Sequence, residues 1–190
     1  PSKVNLDKFT DLSTNNITIF RINNPEVLKT VTNRTDQRMK MSEVIAKYPN
    51  ALIMNASAFD MQTGQVAGFQ INNGKLIKDW SPGTTTQYAF VINKDGSCKI
   101  YDSSTPASTI IKNGGQQAYD FGTAIIRDGK IQPSDGSVDW KIHIFIANDK
   151  DNNLYAILSD TNAGYDNIMK SVSNLKLQNM LLLDSGGSSQ

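Results

Sequence analysis

The residues best suited to chemistry stand at the end of the chain, in the sequence LLLDSGGSSQ. The apolar run Leu181–Leu183 predicts a buried strand, and it delivers Asp184 to a turn of serine and glycine. Such a turn brings bare backbone N–H groups and hydroxyls close to a carboxylate, with little side-chain bulk in the way. This combination suits an oxygen-rich ligand such as a sugar or a phosphate. Taken alone, the same residues also fit a glycine turn whose aspartate caps nearby backbone.

A second motif of the same form lies upstream. The sequence NASAFD, Asn55–Asp60, follows another short apolar run, Ala51–Met54. Sites in folds with buried strands are often assembled from such strand ends. We therefore predict that Asp60 and Asp184 meet in one pocket. The alternative is two ordinary strand-to-loop transitions.

These motifs, together with two others between them, resemble the phosphodiester glycosidase family. In that family a helix leads into a strand that ends close to N-x-x-F-F-D. A glycine and an N-G hairpin follow, then an F-G segment that ends in D-G, and finally a strand that ends in D-G-G-G-S-S. The matching segments here, in the same order, are MSEVIAKYPNALIMNASAFD, INNGKLI after Gly68, DFGTAIIRDGKI and LLLDSGGSSQ. The resemblance runs from about Met41 to the end of the chain, and residues 1–40 carry no matching motif.

The resemblance implies cleavage of a sugar C1–O bond whose leaving group is a phosphate ester. A phosphate carries its charge at neutral pH without a proton, so the demand for a strong general acid is relaxed. The site must still stabilise an oxocarbenium-like transition state and supply a base or nucleophile. Asp184 and Asp60 are the carboxylates implied for this role, and Asn55 is the third catalytic candidate. The expected partner is a phosphorylated glycan or polysaccharide.

The expected substrate-binding residues supply hydrogen bonds and a place for phosphate. Hydroxyls and the glycine backbone can bind sugar hydroxyls and phosphate oxygens. Thr123 follows Phe121 and Gly122, where the family motif approaches the site. Lys141 has the charge to neutralise phosphate but also fits an ordinary surface position. The full set is Ser57, Thr123, Lys141, Gly186, Gly187, Ser188 and Ser189.

The only histidine of the chain, His143, is a further catalytic candidate. Strand alternation places it on one face with Lys141 and Phe145, and places the intervening isoleucines on the other. Imidazole is the side chain that ordinarily titrates near neutral pH, so His143 suits a proton donor or a hydrogen-bond donor to the leaving phosphate. A lone histidine in a strand is also commonly structural.

Two other functions stay open, one of them because of departures from the family pattern. Ser185 stands where the family has its first glycine, Ala58 stands where an aromatic residue often precedes the phenylalanine, and Lys141 replaces an arginine. A non-catalytic carbohydrate-binding or receptor-binding module of a phage tail or surface protein is therefore the alternative. Cleavage of the P–O bond by a metal-dependent phosphodiesterase is the third possibility, disfavoured because the sequence has no cluster of histidines and carboxylates.

Composition excludes several classes of protein. The 190 residues fit one domain, and 19 Lys+Arg against 18 Asp+Glu leave a net charge of +1, so neither nucleic acid nor an anionic membrane is an expected partner. Cys98 is the only cysteine, which precludes an internal disulfide.

No group of cysteines and histidines has the spacing of a zinc site, and no cofactor is expected. Asp60 and Asp184, together with loop carbonyls, are possible ligands of Ca²⁺ or Mg²⁺, but nothing in the sequence specifies such an ion. From the termini Pro1 and Gln190 we expect this chain to be a piece of a larger polypeptide. We expect that protein outside the cell, on its surface or in a virion.

The elements that must position these residues are mostly hairpins. A strand is predicted at Ile17–Ile22 and helices at Ser42–Tyr48 and Tyr165–Leu177, the second leading into the final strand. Four strand pairs are joined by turn sequences. They are 69–71 with 75–77, 88–92 with 98–101, 124–126 with 130–131, and 143–146 with 154–157. We therefore predict one α+β domain over residues 1–190, an antiparallel or mixed sheet covered by a few helices.

Overall fold

The computed structural model describes residues 9–14, 16–22, 46–47, 67–134, 142–160 and 164–183. Within them the chain forms two antiparallel sheets and two short α-helices, which confirms the predicted α+β class. Of the helix predicted at Ser42–Tyr48 only 46–47 are described, and these two residues are helical. The strand predicted at Ala51–Met54 lies outside the described residues.

The larger sheet has seven strands in the order β1-β2-β11-β10-β12-β8-β9. Neighbouring strands pair antiparallel throughout. In chain order, the strands are β1 (Phe9–Asp11), β2 (Ile17–Ile22), β8 (Ala124–Arg127), β9 (Lys130–Ile131), β10 (His143–Asp149), β11 (Leu154–Ser159) and β12 (Leu177–Leu182).

The smaller sheet has five strands in the order β4-β3-β7-β5-β6, also antiparallel. Its strands are β3 (Gln70–Asn72), β4 (Lys75–Lys78), β5 (Tyr88–Asn93), β6 (Cys98–Asp102) and β7 (Gly115–Tyr119). All four predicted hairpins are present. Two of them turn through residues with left-handed backbone, Asn73 (φ 51°) with Gly74 (φ 78°) and Asp128 (φ 51°) with Gly129 (φ 77°), as two-residue hairpin loops require.

Strand alternation divides the apolar side chains among three clusters. On β5, Phe90 and Ile92 belong to a cluster shared by both sheets, whereas Ala89 and Val91 point to the opposite face. On β10 the isoleucines join the shared cluster, whereas Phe145 points away from it. The two sheets therefore pack face to face, and each one buries its outer face as well.

A helix covers each outer face. Helix α1 (Ala107–Lys112) packs Ala107 and Ile110 against the smaller sheet. Helix α2 (Tyr165–Val172) packs Ile168 and Val172 against the larger sheet. The order of layers is helix, five-stranded sheet, seven-stranded sheet, helix.

The predicted helix Tyr165–Leu177 is too long at its C-terminal end. Helix α2 stops at Val172, a 3₁₀ turn follows over Ser173–Leu175, and Lys176 takes a left-handed conformation with φ 52°. A left-handed residue cannot continue a right-handed helix. Leu177 therefore begins the final strand rather than ending the helix, and that strand starts earlier than the run Leu181–Leu183 that predicted it.

The sequence patterns missed β1, α1 and β7. Helix α1 reads ASTIIK, whose β-branched residues have low helix propensity, and Pro106 at its N-cap makes no side-chain hydrogen bond. Strand β7 reads GQQAY and lacks the apolar alternation of the other strands, although it lies between β3 and β5 and is largely buried. Within the described part of the chain, no helix is long and apolar enough to cross a membrane.

Candidate functional site

Most of the predicted site residues lie outside the part of the chain that the structure describes. They are Asn55, Ser57, Asp60, Lys141, Asp184, Gly186, Gly187, Ser188 and Ser189. Thr123 and His143 are described, as are residues close to each motif. Whether the two aspartate motifs share a pocket therefore stays a prediction, but the contacts of the neighbouring segments bear on it.

The last strand ends between two other candidate segments. The N–H of Gly122 donates to the carbonyl of Leu182 (3.0 Å), and the N–H of Leu182 donates to the carbonyl of Thr123 (3.1 Å). On the opposite side, the N–H of Leu183 donates to the carbonyl of Ile144 (2.8 Å). The residues that lead to the C-terminal motif are thus held on one side by the segment Phe121–Thr123, called the FGT segment below. On the other side they are held by the start of β10.

A buried carboxylate connects the FGT segment to the chain that follows the NASAFD motif. Asp120 is only 6% exposed, and its Oδ2 accepts a hydrogen bond from the backbone N–H of Phe69 (3.1 Å). The ring of Phe69 is fully buried and stacks on Trp80 at a centroid distance of 4.1 Å. Asp120 therefore ties the residue before β3 to the connection between the two sheets.

The backbone at position 68 passes close to Asp120, which explains why this residue is a glycine. A Cβ atom at this position would lie 2.9 Å from the carbonyl oxygen of Asp120 and 3.2 Å from its Oδ2. Side chains other than hydrogen do not fit such a gap without a shift of the backbone. In the sequence Gly68 is only part of the family pattern, and its physical role is this contact.

The environment of Asp120 makes its carboxyl group unusual. Burial raises the pKa of Asp120 to about 6, although the hydrogen bond from the Phe69 N–H acts in the opposite direction. A carboxyl group with a raised pKa is a common feature of functional centres, and structural networks produce the same effect. The sequence does not single out Asp120 among the candidate residues. The available signal was its position in the DFGTAIIRDGKI motif, directly before the FGT segment.

The FGT segment places residues of different character at adjacent positions. Phe121 is 41% exposed, whereas Thr123 is half-buried. Gly122 lies against Leu182, because a Cβ atom at Gly122 would meet the Leu182 side chain at 3.1 Å. The segment therefore packs closely on β12 and still presents an aromatic ring to solvent.

His143 lies at the same end of the larger sheet, at the start of β10. Its side chain is fully buried, and its ring centroid is 6.1 Å from that of Phe145. The neighbouring Ile144 and Ile146 contribute to the cluster between the sheets, so the predicted alternation is confirmed for these residues. His143 pairs across the ladder with Ser159, which is also fully buried. Burial does not distinguish the structural role of His143 from the catalytic one, so its contact with the leaving phosphate stays a prediction.

The sequence matches the Phosphodiester glycosidase family over residues 49–190. The chain belongs to the phosphodiester glycosidase family. It is accordingly a hydrolase of the glycosidase type, as the order of its motifs predicted. The matched region contains both aspartate motifs, Asp120, the FGT segment and His143. No match was found among curated protein sequences.

Two solved structures are similar to this member of the phosphodiester glycosidase family. The first is the zebrafish N-acetylglucosamine-1-phosphodiester alpha-N-acetylglucosaminidase catalytic domain, auto-inhibited by its pro-peptide. It aligns with a TM-score of 0.70 at 21% identity over 95% of this chain and 70% of that one. The second is a hypothetical protein from Synechocystis, with a TM-score of 0.62 and 10% identity over 95% of this chain and 56% of that one. At these identities the likeness concerns the fold.

Arg127 and Cys98 of this phosphodiester glycosidase are a cation and a thiol that lie in structural surroundings. Arg127 forms an ion pair with Asp102 at 3.0 Å and lies 5.8 Å from the ring of Tyr88. Burial raises the pKa of the Cys98 thiol to about 12, so the thiolate needed by a nucleophile is not formed at neutral pH. Among the described residues, no three His, Cys, Asp or Glu side chains are grouped to hold a metal ion.

The opposite end of β10 carries a polar cluster with a structural role. Asp149 accepts hydrogen bonds from the N–H groups of Asp151 and Asn153, the Asn153 amide and the Tyr155 hydroxyl. Burial raises the pKa of Asp149, but these hydrogen bonds outweigh it and hold the pKa below its ordinary value. Burial of Tyr155, together with its hydrogen bond to the Asp149 carboxylate, raises the pKa of Tyr155 to about 12. This carboxylate is fully engaged in closing the β10–β11 hairpin.

Proposed function

We propose that the chain hydrolyses the glycosidic bond of a sugar-1-phosphodiester in a cell-wall or surface glycan. The observation that carries the proposal is the family match over residues 49–190, because this region includes both aspartate motifs. The contacts of Asp120 and Leu182 support it. Asp120 binds the N–H of Phe69, which follows the NASAFD motif in the chain, and Leu182 precedes Asp184 and hydrogen-bonds to the FGT segment. Asp120 and the FGT segment both belong to the connection between the two sheets. A glycan of this kind places the enzyme outside the cell, on its surface or on a virion.

The proposed chemistry uses Asp184 and Asp60 as the two carboxylates. One stabilises positive charge at the sugar C1 in the transition state, and the other acts as nucleophile or activates water. Asn55, Ser57, Ser188 and Ser189 hydrogen-bond the sugar hydroxyls, and the Gly186–Gly187 backbone binds phosphate oxygens. Because the phosphate leaves as an anion, this scheme requires neither His143 nor a metal ion.

The first test is turnover by the wild-type chain and by Asp184→Asn. The substrates are the methyl phosphodiesters of glucose 1-phosphate and N-acetylglucosamine 1-phosphate, assayed for release of free sugar. The substitution preserves the shape of the side chain and removes its charge, so we expect kcat to fall by about 10³-fold or more. Asp151→Asn, the same change at an exposed position in the β10–β11 turn, is the control and should leave kcat unchanged.

Three results would contradict the proposal. If Asp184→Asn hydrolyses the substrate normally but is less stable by about 1 kcal/mol, Asp184 is a capping residue. If the wild-type chain binds a phosphorylated glycan without hydrolysing any member of the panel, the chain is a carbohydrate-binding module. If EDTA abolishes activity and Ca²⁺ or Mg²⁺ restores it, a metal ion takes part in the reaction.

A further inference from the structure

Phe121 differs from the other exposed apolar side chains of the described residues. Four large apolar residues are clearly exposed there, Leu76, Phe121, Ile131 and Leu158, and Phe121 is the only aromatic residue among them. The other three belong to strands, whereas Phe121 lies in the connection between the two sheets. It is therefore the exposed ring whose neighbours, Gly122 and Thr123, hydrogen-bond to Leu182 at the end of β12.

The backbone on both sides of Phe121 is fixed. Before it, the carboxylate of Asp120 accepts the Phe69 N–H, and the carbonyl of Asp120 lies against Gly68. After it, Gly122 and Thr123 exchange backbone hydrogen bonds with Leu182 (3.0 and 3.1 Å). The backbone that carries the ring is thus held in place before any ligand binds. Such preorganisation lowers the entropy lost on binding.

The surroundings of the ring match the two-sided chemistry of a sugar. A pyranose presents C–H groups on its faces and hydroxyls at its edge. Ligand sites pair aromatic rings with apolar ligand surfaces, and pair a few polar groups with hydroxyls. Phe121 supplies an exposed aromatic face, and Thr123 supplies a hydroxyl two residues away in the same segment.

We propose that Phe121 binds the pyranose ring of the substrate by stacking against its C–H face. The inference rests on the proposed function and adds a sugar-binding contact to that site. Phe121 takes no part in bond cleavage, so its loss weakens substrate binding and leaves the chemical step intact. The ring would bind the sugar rather than the phosphate, because an aromatic face attracts C–H groups and repels an anion.

The test compares three substitutions at Phe121 with one elsewhere, in the full chain. We expect Phe121→Ala to raise KM for N-acetylglucosamine 1-(methyl phosphate) roughly tenfold, with kcat within about twofold of wild type. Phe121→Trp should restore KM because it retains a flat ring, and Phe121→Leu should behave like the alanine variant. Leu76→Ala is the control, because Leu76 is 40% exposed, close to the 41% of Phe121, but lies on the edge strand β4.

Three outcomes would overturn the stacking contact. An unchanged KM in Phe121→Ala removes it, and a wild-type KM in Phe121→Leu shows an apolar contact without stacking. A change in oligomeric state with unchanged KM, seen by light scattering, assigns the ring to a second copy of the chain. If the wild type shows no turnover, the proposed function fails separately. Calorimetric titration of wild type and Phe121→Ala with the same diester then decides the contact, and equal affinities would refute it.

Discussion

At the residue scale, Asp120 has the clearest measurable consequence. Its pKa rises from the ordinary value of 3.8 to about 6, mainly through burial, so the folded chain holds this proton more tightly than the unfolded chain does. Protonated Asp120 therefore stabilises the folded chain. This stabilisation is fully present below about pH 4 and is lost as the pH rises through about 6. We expect the loss to amount to about 3 kcal/mol of unfolding free energy.

Urea unfolding at pH 4.5, 5.5 and 7 tests this expectation with Asp120→Asn. The amide has the same shape and retains an oxygen for the Phe69 N–H, but it does not titrate. The stability of the variant relative to wild type should therefore increase from pH 4.5 to pH 7. Asp151→Asn, an exposed position, should follow the wild-type profile. Parallel profiles for wild type and Asp120→Asn would show that Asp120 is not the titrating group.

At the element scale, the left-handed residue Lys176 determines where helix α2 gives way to the final strand. Glycine adopts φ near 52° without the steric cost that a Cβ imposes. We expect Lys176→Gly to stabilise the chain by about 0.5–1 kcal/mol. The same change at Lys170, inside helix α2, should destabilise it by about 1 kcal/mol. Thermal melting of both variants tests this expectation. Shifts of Tm in the same direction for the two variants would contradict it.

The elements also show what the sequence could and could not predict. The hairpins were predictable because apolar strands flank turns such as Asn73-Gly74 and Asp128-Gly129, whose conformations are local. Strand β7 was not, because its polar sequence GQQAY becomes a central strand only through pairing with β3 and β5. Asp120 follows β7, and its burial depends on Gly68, which is distant in the chain. The burial of Asp120, like strand β7, therefore could not be predicted, because both depend on contacts between distant parts of the chain.

At the scale of the whole molecule, two sheets share one apolar interior and each is covered by a helix. The connection from β7 to β8 passes from the smaller sheet to the larger one, and it carries Asp120 and the FGT segment. The family motifs were visible in the sequence because they are short and local. Whether the two aspartate motifs meet depends on the tertiary structure. Phe69, which follows the first motif in the chain, and Leu182, which precedes the second, both contact this connection. A pocket shared by Asp60 and Asp184 stays a prediction.

Hydrolysis in ¹⁸O-labelled water shows directly whether the chain cleaves the sugar C1–O bond. The substrate is N-acetylglucosamine 1-(methyl phosphate), and mass spectrometry of both products after a short reaction locates the label. The account predicts ¹⁸O in the C1 hydroxyl of the released sugar and none in methyl phosphate, since water attacks carbon. Label in the phosphate would show P–O cleavage and would contradict the assignment of a glycosidase reaction to this chain.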